Sequence, residues 1–199
     1  MSVREVADKA GVNLGMFHYH FKTREAFLRA LLQAIYEEMF AKLTLEIARP
    51  ADTLSRIRFA MRALGGFGLA NRQFLARIFA DALTGEELAR RFLRENLPRH
   101  LGVMAGLLAQ GQQEGVIVPV PIPQAIGTAA GAIAMPILVA GRMVDSGVLD
   151  PLTARMLQTV VLSPEALDQR IDLVLKALSQ ATKGSAKSAT GKSKTRGKK

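Results

Sequence analysis

The sequence predicts an all-α protein. Apolar residues recur at helical rather than alternating spacing, capping residues and prolines punctuate the chain repeatedly, and alanine and leucine dominate the apolar fraction. No β alternation and no repeat of about 20–50 residues interrupts the pattern.

Ser2-Val3-Arg4-Glu5 is a capping box, and Val3, Val6, Ala7 and Ala10 mark one face of a short helix ended by Gly11. Asn13 is an N-cap for about two turns, with Phe17 and Phe21 one turn apart and facing inward. Thr23 caps a long helix over about 24–48, whose apolar stripe is Leu28, Leu31, Leu32, Ile35, Met39 and Leu43. Helices follow at about 52–69, 72–83 and 85–114, the last bent or broken near Pro98 and opened by a Thr84–Glu87 capping box. The prolines of "VIVPVPIP" (116–123) predict an extended segment. An apolar helix of about 124–145 comes next, and Asp150-Pro151 and Ser163-Pro164 then open helices of about 151–159 and 164–181.

The chain has 199 residues, enough for one or two small domains, and no cysteine. Disulfides, thiolate metal sites and cysteine nucleophiles are therefore excluded, and a cytoplasmic location suits the composition. Of the formal charge of +10, seven positive charges lie in "KGSAKSATGKSKTRGKK" (183–199) without an acid, leaving +3 on residues 1–182. That tail has no apolar residue larger than alanine and is expected to be disordered. It is either a solvated solubility tail or an arm that binds phosphate by counterion release. The apolar core of the 124–145 helix is about 16–17 residues, below the roughly 20 that a bilayer requires. Its small residues Gly127, Ala130, Gly131 and Ala134 suit close approach of a partner helix, so no membrane is expected.

The run "GVNLGMFHYHF" (11–21) joins two short helices through Gly11-Val12, and basic residues flank the second of them. This is a helix-turn-helix pattern, with Ala7 small at the crossing and Val6, Val12, Phe17 and Phe21 available as its core. His18 and His20 face about 200° apart on a helix and cannot chelate one metal together. His20 is a half-buried structural histidine or part of the contact surface.

The string "SVREVADKAGVNLGMFHYHFKTREAFLRALL" (2–32) closely resembles the DNA-binding head of TetR-family transcriptional regulators. The resemblance implies a homodimeric, ligand-responsive repressor on a palindromic operator, with a small effector in each body altering the spacing of the heads. It divides the chain into a head at 1–46 (helix-turn-helix about 2–21), an effector-binding and dimerisation body at 47–182, and the tail at 183–199. It implies that Arg4 contacts phosphate or groove, that Leu14, Gly15 and Met16 meet bases, and that His18 occupies a phosphate-binding position. Tyr19 and His20 match a variable aromatic/histidine pair, and Lys22 and Arg24 match basic positions at the entry to the long helix. The family commonly has a polar residue at position 14 and Thr or Ser at 16. Leu14 and Met16 cannot form bidentate base pairings, so apolar readout is expected there, with Arg4, Asn13, His18 and Tyr19 carrying more of the polar contact.

Another helix precedes this head in the resembled family. Without it, Val3, Val6, Phe17, Phe21, Phe27 and Leu28 are expected to lose part of their apolar cover. Either the natural protein starts upstream of Met1, or the chain is a truncated ligand-binding and dimerisation protein with an impaired head.

In the body, Phe59, Met61, Phe67, Phe74, Phe79, Phe92 and Met104 have the spacing of core residues. Phe59, Phe67, Phe74, Phe79 and Met104 are the candidates to line an effector pocket. Helices of about 124–145 and 164–181 are the expected dimer bundle. No G-x-S-x-G, H-E-x-x-H or phosphate-cradling glycine loop appears, so neither an enzyme nor a cofactor or metal is expected.

Overall fold

The computed structural model describes residues 3–11 and 13–179, without the side chains of Val3 and Val6. Ser2 of the first capping box, Val12, the last two residues expected in the final helix and the basic tail lie outside the described residues. The described chain is helical throughout: α1 (Val3–Ala10), α2 (Leu14–Phe21), α3 (Arg24–Ile47), α4 (Thr53–Ala70), α5 (Arg72–Leu83), α6 (Glu87–Gln113), α7 (Ile122–Asp145), α8 (Pro151–Val160) and α9 (Pro164–Leu178).

Most of the anticipated caps form. Asn13, Thr23, Asp150 and Ser163 each accept a backbone N–H of the first turn through the side chain, and Asp52, not among the anticipated caps, does the same for α4. The Thr84 capping box does not form. The Thr84 hydroxyl donates back to the Ala80 and Asp81 carbonyls as the end of α5, and Glu86 caps α6 by accepting from Ala89 N. α6 runs unbroken through Pro98, which removes the bond that residue 98 would donate to Arg94 O. α7 begins at Ile122 rather than 124, because Pro123 lies in the first turn, where a missing N–H costs nothing. α9 stops at Leu178, where the chain end meets the extended segment after α6. Val118 N donates to Leu178 O at 2.8 Å, and Ile117 pairs with Ser179 in an isolated bridge.

The principal core lies where α4, α6, α7 and α9 converge, around the fully buried Ile57, Leu108, Ile117, Ile137 and Ile171. α3 packs on α4 and α6, burying Leu32, Tyr36, Met39 and Leu43. Leu31, expected in that stripe, is exposed, and Tyr36 takes the inward position instead. α9 turns Ala166, Leu167, Ile171, Val174, Leu175 and Leu178 into the core. That corrects the expectation that its apolar face forms the dimer surface.

α7 is long and apolar enough to cross a membrane by length and composition, but only 22% of its most apolar window is buried. Its buried face, including Ala125, Ala129, Ile133 and Ile137, packs into the core. Its outer face carries Gly127, Ala130, Gly131, Ala134, Met135, Val139 and Met143 in the open. α8 packs against α7 and buries none of its residues, leaving Leu152, Met156 and Val160 exposed at four-residue intervals.

Candidate nucleic-acid interface and effector cavity

α2 stands at one end of the molecule. Asn13 Oδ1 accepts Gly15 N–H at 2.7 Å, so the carbonyl oxygen of Asn13 is engaged in capping rather than turned outward. Phe17 is 4% exposed, and its ring lies 5.3 Å from Phe21 and 4.9 Å from Phe27 at the start of α3. Phe21 and Phe27 close the triangle at 5.0 Å. Tilted and edge-on rings at this range add to the area they bury. Ala7 is buried as well, so the small head core is formed where α1 crosses α2. Phe17 retains its cover, contrary to the loss expected for it, whereas Phe21, Phe27 and Leu28 are partly open.

The opposite face of α2 points outward. Leu14, Gly15, Met16, His18, Tyr19 and His20 are all exposed, Met16 to 55% and Tyr19 to 80%. His20 is thus not half-buried; its ring stands edge-on to Tyr19 at 5.3 Å. Arg4 on α1, Lys22 at the α2–α3 junction and Arg24 at the start of α3 are exposed as well. Among the described residues, these large side chains on an eight-residue helix are left out of the core.

Lys22 joins α2 to α3 with φ 55 and ψ −46, and Thr23 N donates back across it to Phe21 O. This is a γ-turn of the strained hand, at the one positive-φ non-glycine residue among those described.

Further along, through Ile35, Tyr36 and Met39, α3 forms a wall of a cavity of about 290 Å3 that it shares with α4, α5, α6 and α7. Phe67, Phe74, Phe79 and Met104 line this cavity. Phe59 does not: its half-buried ring lies under the Arg49 guanidinium, 5.9 Å away, on another side of α4. The remaining walls are apolar apart from Tyr36, Asn96 and His100, and no charged side chain lines the space.

These three polar residues form one corner. Tyr36 Oη donates to Asn96 O at 2.8 Å and lies 3.3 Å from His100 Nδ1. Asn96 exchanges side-chain hydrogen bonds with Gln33 at 3.1 and 3.2 Å, and its amide also donates to Phe92 O. Burial pushes the Tyr36 phenol up and the His100 imidazole down from their ordinary values, so both are neutral near pH 7. None of the three was found from the sequence. Their signal was Asn96 and His100, four residues apart on an otherwise apolar helix face, opposite Tyr36 in the α3 stripe.

Among the described residues, no cluster of three or more His, Cys, Asp or Glu could hold a metal ion.

Comparison with known proteins agrees with this geometry. Residues 1–31 match the family model of bacterial regulatory proteins, tetR family. A curated relative, the nucleoid occlusion factor SlmA of Alteromonas mediterranea, is 24% identical over 87 residues, 44% of this chain and 45% of its own length. The match thus spans less than half of that relative. A putative TetR-family transcriptional regulator from Rhodococcus sp. superposes with a TM-score of 0.62 at 22% identity, over 88% of both chains. The transcriptional regulator FadR from Bacillus subtilis, solved with stearoyl-CoA, does so with a TM-score of 0.64 at 18% identity, over 89% of both chains. The first 31 residues thus match the tetR family model, and the described chain shares the fold of solved TetR-family regulators.

Proposed function

We propose that the protein is a ligand-responsive repressor that binds a palindromic operator as a homodimer. The observation that carries this reading is the division of α2: Phe17 and Phe21 anchor it, while Met16, His18 and Tyr19 stand bare, as do Arg4, Lys22 and Arg24. α2 enters the major groove with Leu14, Gly15 and Met16 against base edges, and with Leu14 and Met16 against apolar groups such as thymine methyls. Arg4, His18, Tyr19, Lys22 and Arg24 engage phosphates or edges, with Asn13 holding the helix start. Residues 1–46 are the head, and 47–182 the effector-binding and dimerisation body.

Two copies pair through α7 and α8. The small residues of α7 permit close approach, and its Met135, Val139 and Met143 continue into the Leu152, Met156 and Val160 stripe of α8. Such a contiguous apolar face is what an obligate symmetric interface covers.

The α3–α7 cavity takes the effector, a small apolar molecule. FadR of Bacillus subtilis was solved with a fatty-acyl thioester. The absence of charged lining here favours a smaller and less polar ligand.

Gel shifts with DNA from upstream of the protein's own gene test the proposal, using this chain and a version extended upstream of Met1. Binding that survives excess nonspecific DNA, and that Tyr19→Ala with Met16→Ala abolishes in a folded dimer, supports it. Specific binding by neither version overturns it and leaves a ligand-binding, dimerising protein.

A further inference from the structure

We infer that the effector is an uncharged, lipophilic molecule with one hydrogen-bonding oxygen, and that this oxygen is read by Tyr36 and His100. The inference rests on the reading of the α3–α7 cavity as the effector site.

The lining decides the charge. A carboxylate or ammonium drawn into this space would leave water for walls of Leu, Ile, Phe, Met and Ala, with no opposite charge among the lining residues. Burying an unpaired ion costs far more than burying a hydroxyl or carbonyl that finds a partner. Arg99, on the same helix turn as His100, cannot supply the cation: it is engaged with Glu37 and lies over the outer faces of Tyr36 and Phe40.

The polar corner sets the second requirement. Tyr36 Oη gives its proton to Asn96 O and keeps lone pairs for a donor. His100 is held neutral by burial, and in either tautomer it offers one N–H and one bare nitrogen. An alcohol, ketone or ester oxygen satisfies that corner, whereas a pure hydrocarbon leaves it as it is.

Size completes the description. About 290 Å3 lies at the lower end of the roughly 300–1,000 Å3 range of small-molecule sites. The occupant is therefore a medium-chain or compact cyclic compound.

The same corner also ties the site to the head. Tyr36 sits on α3, whose first turn packs against α2, and its bond to Asn96 is a direct α3–α6 link. A ligand oxygen that re-aims the Tyr36 hydroxyl changes that link.

Titration calorimetry on the full chain with 1-decanol, 2-decanone, decanoate and decyltrimethylammonium tests the inference. Decanol and decanone are expected to bind at least tenfold more tightly than either ion. Tyr36→Phe is expected to weaken decanol, whose hydroxyl donates to the phenol oxygen, about threefold to tenfold, and to leave decanone, which accepts from His100, little changed. Leu97→Trp, which enlarges a half-buried wall residue into the space, is the control for location. The chain has no native tryptophan, so blue-shifted indole emission reports that the ring fills the cavity. If all four probes bind equally and Leu97→Trp blocks them, the cavity is a ligand site and the inference about its chemistry is wrong. Tighter binding of an ion, or full-strength decanol binding to Tyr36→Phe, also overturns it. If no probe binds, the effector-site reading falls together with the inference.

Discussion

Arg99 of α6 grips Glu37 of α3 with both arms of its guanidinium, Nη1 to Oε1 and Nη2 to Oε2 at 3.0 Å. The same guanidinium lies 4.4 Å from the centre of the Phe40 ring and 5.0 Å from that of Tyr36. Planarity serves both contacts at once, which a lysine cannot imitate. Arg99→Lys, although it keeps the charge, should lower the thermal midpoint nearly as far as Arg99→Ala. A double-mutant cycle with Glu37→Gln should show positive coupling that shrinks in high salt.

Lys22 combines backbone strain with the phosphate contact proposed for it. Lys22→Gly should raise stability in urea by about 1 kcal/mol, because glycine accepts positive φ without the side-chain penalty. The same variant should bind operator more weakly, and its log K against log salt slope should become shallower by about 1. Lys22→Ala should share the binding loss without the gain in stability.

Two glycines of α6 should respond to alanine in opposite directions. At Gly111 an added Cβ would sit 2.6 Å from Cγ1 of the fully buried, β-branched Ile117, so Gly111→Ala should cost about 1–3 kcal/mol. At Gly106 a Cβ meets nothing within 4 Å, and Gly106→Ala should stabilise the helix by about 0.5–1 kcal/mol. Urea unfolding of both variants, followed by circular dichroism, checks the pair.

Acid should loosen the α3–α6 contact in two stages. Burial lowers the His100 pKa, so the unfolded chain takes up the proton first. The stability this histidine contributes is complete above its ordinary value of about 6.5 and is lost as pH falls below it. The bond from Arg99 likewise lowers the Glu37 pKa, and that contribution is lost below the ordinary glutamate value of about 4.3. The urea midpoint should therefore fall between about pH 7 and pH 5.5, and His100→Gln should flatten that first step.

Charge on the α8 stripe should separate subunits without unfolding them. Leu152→Glu with Met156→Glu alters residues that are already exposed, so far-ultraviolet dichroism should not change. Light scattering should report half the mass of the parent, and operator affinity should fall with it.

The sequence carried the helices almost completely, because each boundary is a local event: Asn13, Thr23, Asp150 and Ser163 cap where their own side chains reach. It erred where the deciding contact is remote or a neighbour competes. Thr84 is used by the end of α5, and α9 stops where Leu178 meets Val118. The inward face of α2 was legible through Phe17 and Phe21 at one-turn spacing. The polar corner of the cavity was not, since Tyr36 and Asn96 are 60 residues apart and only tertiary packing joins them. Phe59 was assigned to the pocket for its type and spacing, yet periodicity alone does not say which neighbour a helix face will meet.

The uninterrupted course of α3 has a mechanical consequence. About 18 Å of helix separates Tyr36 from Arg24, at 1.5 Å per residue. A tilt of about 10° pivoting at Tyr36 would swing the start of α3, and the recognition helix pinned to it by Phe17, Phe21 and Phe27, through about 3 Å. Doubled across two subunits, that lever arm would carry α2 out of register with half-sites spaced about 34 Å apart. On the proposed repressor reading, α3 would therefore act as a lever that magnifies at α2 a small reorientation begun at Tyr36.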